Sequence, residues 1–150
     1  MEAVLCKAFD TVNHEILLSK LKAIGIDSVS WFESYLSGRE QFVEIGGTWS
    51  DFLPVTSGVS QGLILGPQLY INDLSISVNC DLSLYVDDSA IIYSGKDPQY
   101  VATYLSTELG KCKQWLIDNR LSLHVGKTES ILFSSTRRLK QAGVFQVTCD

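Results

Sequence analysis

Apolar and polar positions follow two periods along this chain. Ala3-Val4-Leu5-Cys6 is a short continuous apolar run, the form of a buried strand. A domain that begins inside its first core strand looks truncated. Residues 14–24 change to a helical period, with Ile16, Leu17, Leu21 and Ile24 on one face. Asn13 stands where an N-cap belongs and Gly25 where a C′ glycine belongs. A second helix is predicted over 29–37, with Ser30-Trp31-Phe32-Glu33 in capping-box form and Gly38 closing it. Residues 39–55 read as a hairpin: Phe42, Val43 and Ile45, then Gly46-Gly47, then Trp49, Phe52 and Leu53.

Residues 56–66 form a Gly/Ser/Gln loop that enters a helix over 63–73. Residues 82–86 and 90–93 read as two short strands around Asp87-Asp88. Asp97-Pro98 opens a long helix, a cap followed by proline at the first turn. Its apolar face is Val101, Tyr104, Leu105, Leu109, Cys112, Trp115 and Leu116. Residues 129–133 and 144–147 are the last strand candidates. No repeat, low-complexity tract or linker interrupts residues 1–150, which read as one unit. Helices interleaved with hairpins predict an α+β fold, helices layered on an antiparallel sheet.

Composition bounds the function. Of 150 residues, 45% are hydrophobic and 19% charged, enough apolar material for a packed core. The net charge of -5 excludes a self-sufficient basic nucleic-acid binder of the usual kind. No window approaches about 18 uninterrupted apolar residues, so no membrane span is expected. Cys6, Cys80, Cys112 and Cys149 contain no C-x-x-C pair, and His14 and His124 are the only histidines. A structural zinc site and a disulfide framework are therefore not expected, and an intracellular setting fits the absence of a signal peptide.

Three stretches carry candidate chemistry. Tyr85-Val86-Asp87-Asp88 sets two adjacent carboxylates at a tight turn between apolar strands. Like charges side by side repel, and a divalent cation relieves the repulsion. Taken alone, the pair also reads as an ordinary hairpin turn. Gly58-Val59-Ser60-Gln61-Gly62 combines backbone freedom with a side chain that both donates and accepts, although alone it is also a flexible loop before a helix. Gly126-Lys127-Thr128 ends like a phosphate loop, but Leu121 replaces the first glycine, so a P-loop is rejected.

Four stretches in order resemble the reverse transcriptases of LINE-type (non-LTR) retrotransposons: residues 7–14 (Lys-Ala-Phe-Asp-Thr-Val-Asn-His), residues 57–67, Tyr85-Val86-Asp87-Asp88, and residues 121–129. The resemblance covers essentially the whole chain. It implies a right-hand polymerase palm with part of the fingers and no thumb. It implies nucleotidyl transfer with two Mg²⁺ ions, on an RNA template, a DNA primer and a dNTP. By the same resemblance Asp87 and Asp88 are metal ligands and catalytic carboxylates. Phe9 lies under the incoming sugar, and Gly58, Gln61 and Gly62 lie along the template–nucleotide pair. Lys127 stands near the leaving pyrophosphate, as a catalytic general acid or charge stabiliser. Read without the family, Phe9 is equally a core residue and Lys127 a solvated one.

The chain departs from that pattern at a telling place. The family has an Asp three residues before Lys-Ala-Phe-Asp, its first-strand metal ligand; here the position is Val4. Glu2 lies about 6.6 Å further along the strand, too far to substitute without a two-residue register shift. Ser60 replaces a proline, His124 an asparagine, and about three apolar residues are missing after Pro67, a change of roughly 300° around a helix. Losing one carboxylate of a two-metal site should cost at least ~10²–10³ in rate. The resulting expectation is a polymerase segment with little or no activity and weak nucleic-acid binding, or a dead retroelement remnant acting at most as an interaction module.

Overall fold

The computed structural model describes residues 2–4, 9–59, 67–85, 88–141 and 144–148. A strand β1 (Glu2–Val4) precedes helix α1 (His14–Ala23) and helix α2 (Val29–Leu36). Four two-residue strands follow: β2 (Glu40–Gln41), β3 (Glu44–Ile45), β4 (Thr48–Trp49) and β5 (Leu53–Pro54). Then come α3 (Pro67–Ile71), α4 (Leu74–Ser77), β6 (Asp81–Tyr85), β7 (Asp88–Ile92) and the long α5 (Pro98–Asp118). A 3-10 turn (Val125–Lys127) and α6 (Thr136–Gln141) complete the order.

The architecture is α+β. A three-stranded antiparallel sheet runs β1-β7-β6, and two small antiparallel pairs, β2-β5 and β3-β4, build the hairpin over residues 39–55. Side chains alternate along β6 and β7, so Ser89 and Ile91 are buried while Tyr85 and Ile92 are exposed. Their buried face joins the apolar stripe of α5, where Val101, Leu105, Leu109, Cys112, Trp115 and Leu116 all lie in the core. Leu17 and Leu21 of α1 complete it with Tyr70, Ile71 and Leu74. Burying one such leucine contributes about 1.5–3 kcal/mol.

The helix ends obey local chemistry. Asn13 accepts a hydrogen bond from the Ile16 N–H at 3.0 Å, and Gly25 follows α1 at φ +81°. Asp97 accepts from the Gln99 N–H at 3.0 Å, with proline at the first turn of α5. The capping box expected at Ser30 does not form. Helix α2 begins at Val29, which puts Ser30 inside the helix, and the N-cap Ser28 makes no side-chain cap.

Three other expectations change. The helix predicted over 63–73 is described from Pro67 onward, and there it divides into α3 and α4. Lys20 explains the division: its Nζ donates to the Tyr70 carbonyl at 2.7 Å and to Asp73 Oδ1 at 2.6 Å. An outside donor thus takes a carbonyl that a continuing helix would have used. The same ammonium lies 4.4 Å from the Trp115 ring centre, so it ties α1 to both α3 and α5. Burial pushes its pKa down, and Asp73 partly offsets that.

Residues 129–133 and 144–147 are not strands. Glu129 forms a single bridge, and Ile131 and Phe133 are 56% and 86% exposed. A strand needs a non-local ladder partner, which apolar composition does not supply. The second hairpin strand starts at Asp88 rather than at residue 90, so Asp88 and Ser89 are ladder residues. Among the described residues, no helix is long and apolar enough to cross a membrane, and neither Cys80 nor Cys112 is in a disulfide.

Candidate active site

Two clusters gather the sequence-predicted residues. The first is built on β7. In the β6–β7 ladder Tyr85 pairs with Asp88, which leaves only Val86 and Asp87 between the strands. Those two lie outside the described residues, as do Gln61 and Gly62 of the glycine loop. Asp88 is half-buried and opens the central strand of the sheet, so it is not at the tip of the turn. On its other side it pairs with Val4 of β1. Glu2 stands opposite Ala90, so β1 is not slid by the two residues that would bring Glu2 to Asp88.

Strand β1 also lies against the 3-10 turn that carries Lys127. Lys127 is exposed, and its N–H donates to the His124 carbonyl at 2.9 Å. The fold thus brings Asp88, position 4 and the Lys127 turn around one short strand. A cavity of about 570 Å³ opens beside Tyr85 and Asp88 and reaches Ile131, Phe133 and Phe145. Among the described residues no group of three or more His, Cys, Asp or Glu gathers to hold a metal ion. The Val4 side chain offers a hard cation no donor.

The second cluster is a backbone clasp. Phe9 is half-buried and packs against the core, as the plain reading of an apolar residue there anticipates. Its carbonyl accepts the Val59 N–H at 2.8 Å, and the Val12 carbonyl accepts the Gly58 N–H at 2.9 Å. Asn13 and Ser57 form a bridge beside them. Gly58 has φ +87°, and a Cβ there would lie 3.0 Å from the Asp10 carbonyl oxygen. Its glycine is therefore required by the approach of two backbone segments, a need the sequence could not distinguish from approach to a ligand.

Two side chains that sequence reasoning left without a role are placed by the fold. His14 Nε2 lies 2.8 Å from the Gly58 carbonyl oxygen. Glu108 is buried on the apolar face of α5, where it accepts from the Asn79 N–H at 2.6 Å and from Lys111 Nζ at 2.6 Å. Burial opposes its charge, but the bonds from Lys111 and Asn79 outweigh it and hold the carboxyl below the usual glutamate range. The signal for Glu108 was available, because it falls on the helical stripe between Leu105 and Cys112.

Similarity to known proteins decides the family. A family model described as reverse transcriptase (RNA-dependent DNA polymerase) matches residues 1–144. The chain belongs to the reverse transcriptase family. It is 30% identical over 128 residues to a probable RNA-directed DNA polymerase from transposon BS of Drosophila melanogaster, covering 74% of this chain and 14% of that relative. It is 26% identical over 141 residues to the RNA-directed DNA polymerase from mobile element jockey of the same organism, covering 86% and 15%. A third similarity, 26% over 141 residues, is to a probable RNA-directed DNA polymerase from transposon X-element, covering 88% and 16%. The likeness to LINE-type reverse transcriptases read from four motifs is borne out. This reverse transcriptase segment spans only about a seventh of the first relative's length, at 14%.

Proposed function

We propose that the chain is a palm-like segment, with part of the fingers, of an RNA-directed DNA polymerase, and that its own polymerase activity is weak or lost. The observation that carries this is the pairing of Val4 with Asp88. The position where LINE-type enzymes supply a metal-binding Asp stands across from the acidic hairpin, and here it holds an aliphatic residue. In this reading Asp87 and Asp88 serve as metal ligands, Phe9, Gly58, Gln61 and Gly62 contact the nucleotide and template, and Lys127 faces the pyrophosphate. Mg²⁺, when bound, would supply charge neutralisation at the transferring phosphate. The residues present are short of a full site for it.

An RNA template, a DNA primer and dNTPs are the substrates this reading assigns. The net charge of -5 predicts weak retention of a duplex by this segment alone. Primer extension on an RNA template with Mg²⁺ tests the proposal. The chain as it stands should extend a primer barely or not at all. Robust extension by the 150-residue chain would refute the assignment of Val4 as a disabling residue. If Val4→Asp restores no extension, even with fingers and thumb supplied, the chain is a dead remnant and not an impaired polymerase.

A further inference from the structure

We propose that His14 is a positioning residue that fixes Gly58 and Val59 against Phe9 and thereby sets discrimination between deoxy- and ribonucleotides. The proposal rests on the nucleotide-binding reading of Phe9 and Gly58 given above. His14 is the first residue of α1, a helix whose N-cap Asn13 is closed by its own side-chain bond. Its ring is thus held at a well-formed helix start and is half-buried.

From there Nε2 reaches the Gly58 carbonyl at 2.8 Å, 44 residues away in sequence. A carbonyl only accepts, so Nε2 carries the hydrogen. The other backbone groups of the clasp point the opposite way. The Gly58 N–H donates to the Val12 carbonyl and the Val59 N–H to the Phe9 carbonyl, at 2.9 and 2.8 Å. His14 is therefore the one side chain among the described contacts that grips Gly58 from its carbonyl side. Both sides of the Gly58 peptide unit are then tied to the segment that carries Phe9.

His14 also borders two cavities, of about 400 and 500 Å³. One is bordered by Thr11 and Arg120, the other by Asp10 and Arg39. Removing the hydrogen bond would leave the Gly58 carbonyl without that donor, while the Gly58 and Val59 N–H bonds and the close approach to Asp10 remain. The bond is one restraint among these, and the one that acts on the carbonyl side. Loosening at the Gly58 carbonyl would reach Phe9 through the Val59 N–H, whose acceptor is the Phe9 carbonyl. A residue that screens a sugar by contact needs sub-ångström placement to do so.

Two variants and two readouts test this in the full chain. His14→Ala removes the donor; His14→Gln keeps an Nε2 donor at similar reach. In His14→Ala, amide exchange at Gly58 and Val59 should rise about fivefold, the scale of one hydrogen bond. Exchange in α5 should stay unchanged, and His14→Gln should restore protection. Unchanged exchange at Gly58, or a rise spread equally over α5, would overturn the positioning role.

The second readout is the ratio of dATP to ATP affinity on an RNA template–DNA primer with Mg²⁺. His14→Ala should narrow it by about fivefold and His14→Gln should preserve it. A ratio unmoved by His14→Ala, while exchange rises, would overturn the role in discrimination. Wild type that binds neither nucleotide would overturn discrimination by this chain, and the exchange data would still report on the clasp.

Discussion

Val4 of the first strand is the cross-strand partner of Asp88. Register alone establishes this, and it has an energetic consequence. Directly opposed residues in an antiparallel pair interact most strongly, and like charges opposed there repel. An aliphatic residue at position 4 spares Asp88 a second carboxylate beside it. In the reading proposed above, the residue that would weaken metal binding also removes a repulsion.

That trade-off gives the first prediction. Without metal, Val4→Asp should lower stability by about 1 kcal/mol. Mg²⁺ should raise its melting temperature more than it raises that of wild type, since a cation bound to the folded state stabilises it by mass action. Thermal melts in chelator and in Mg²⁺ check this. Equal Mg²⁺ shifts in the two proteins would show that position 4 does not share a cation with Asp88.

Gly58→Ala should destabilise the chain by about 2 kcal/mol. The backbone at φ +87° disfavours any side chain, and the Cβ would meet the Asp10 carbonyl oxygen at 3.0 Å. Denaturant titration measures the loss. A change under about 0.5 kcal/mol would mean that the close approach relaxes easily, and the glycine would then have to be explained by a ligand.

Lys20→Met should cost about 1–3 kcal/mol, because it keeps the apolar stem and abandons the Tyr70 carbonyl. Asp73→Ala should cost less, under about 1 kcal/mol, since the Asp73 side chain is 42% exposed and solvent screens the pair. The order of these two values separates carbonyl capping and ring contact from the ion pair. A reversed order would mean that the ion pair holds Lys20 more strongly than the carbonyl and the rings do.

Glu108 makes stability depend on pH. Its folded-state pKa is held below the ordinary value by Lys111 and Asn79, against the cost of burial. A depressed carboxylate contributes stability that is fully present above the unfolded-state pKa. The contribution is lost as pH falls through the folded-state value. Urea midpoints between pH 7 and 3 should therefore fall more steeply for wild type than for Glu108→Gln. Glu108→Ala should cost about 1–3 kcal/mol near neutral pH by leaving the Asn79 N–H without its acceptor. Parallel pH profiles for wild type and Glu108→Gln would remove Glu108 as the cause.

Much of this protein was determined by sequence alone, where the physics is local. The period of α5, its Asp97-Pro98 start, the Asn13 cap and the Gly25 end depend on neighbours within a few residues, and all were legible. The family was legible too, because motif order along a chain does not depend on folding. Tertiary structure decided what depends on distant partners. Lys20 divided a predicted helix from 50 residues away, and the absence of a ladder partner left residues 129–133 without strand structure. Sequence could show that position 4 lacks a carboxylate. Only strand register could put that position opposite Asp88, because pairing between strands is set by hydrogen bonds and burial across the sheet.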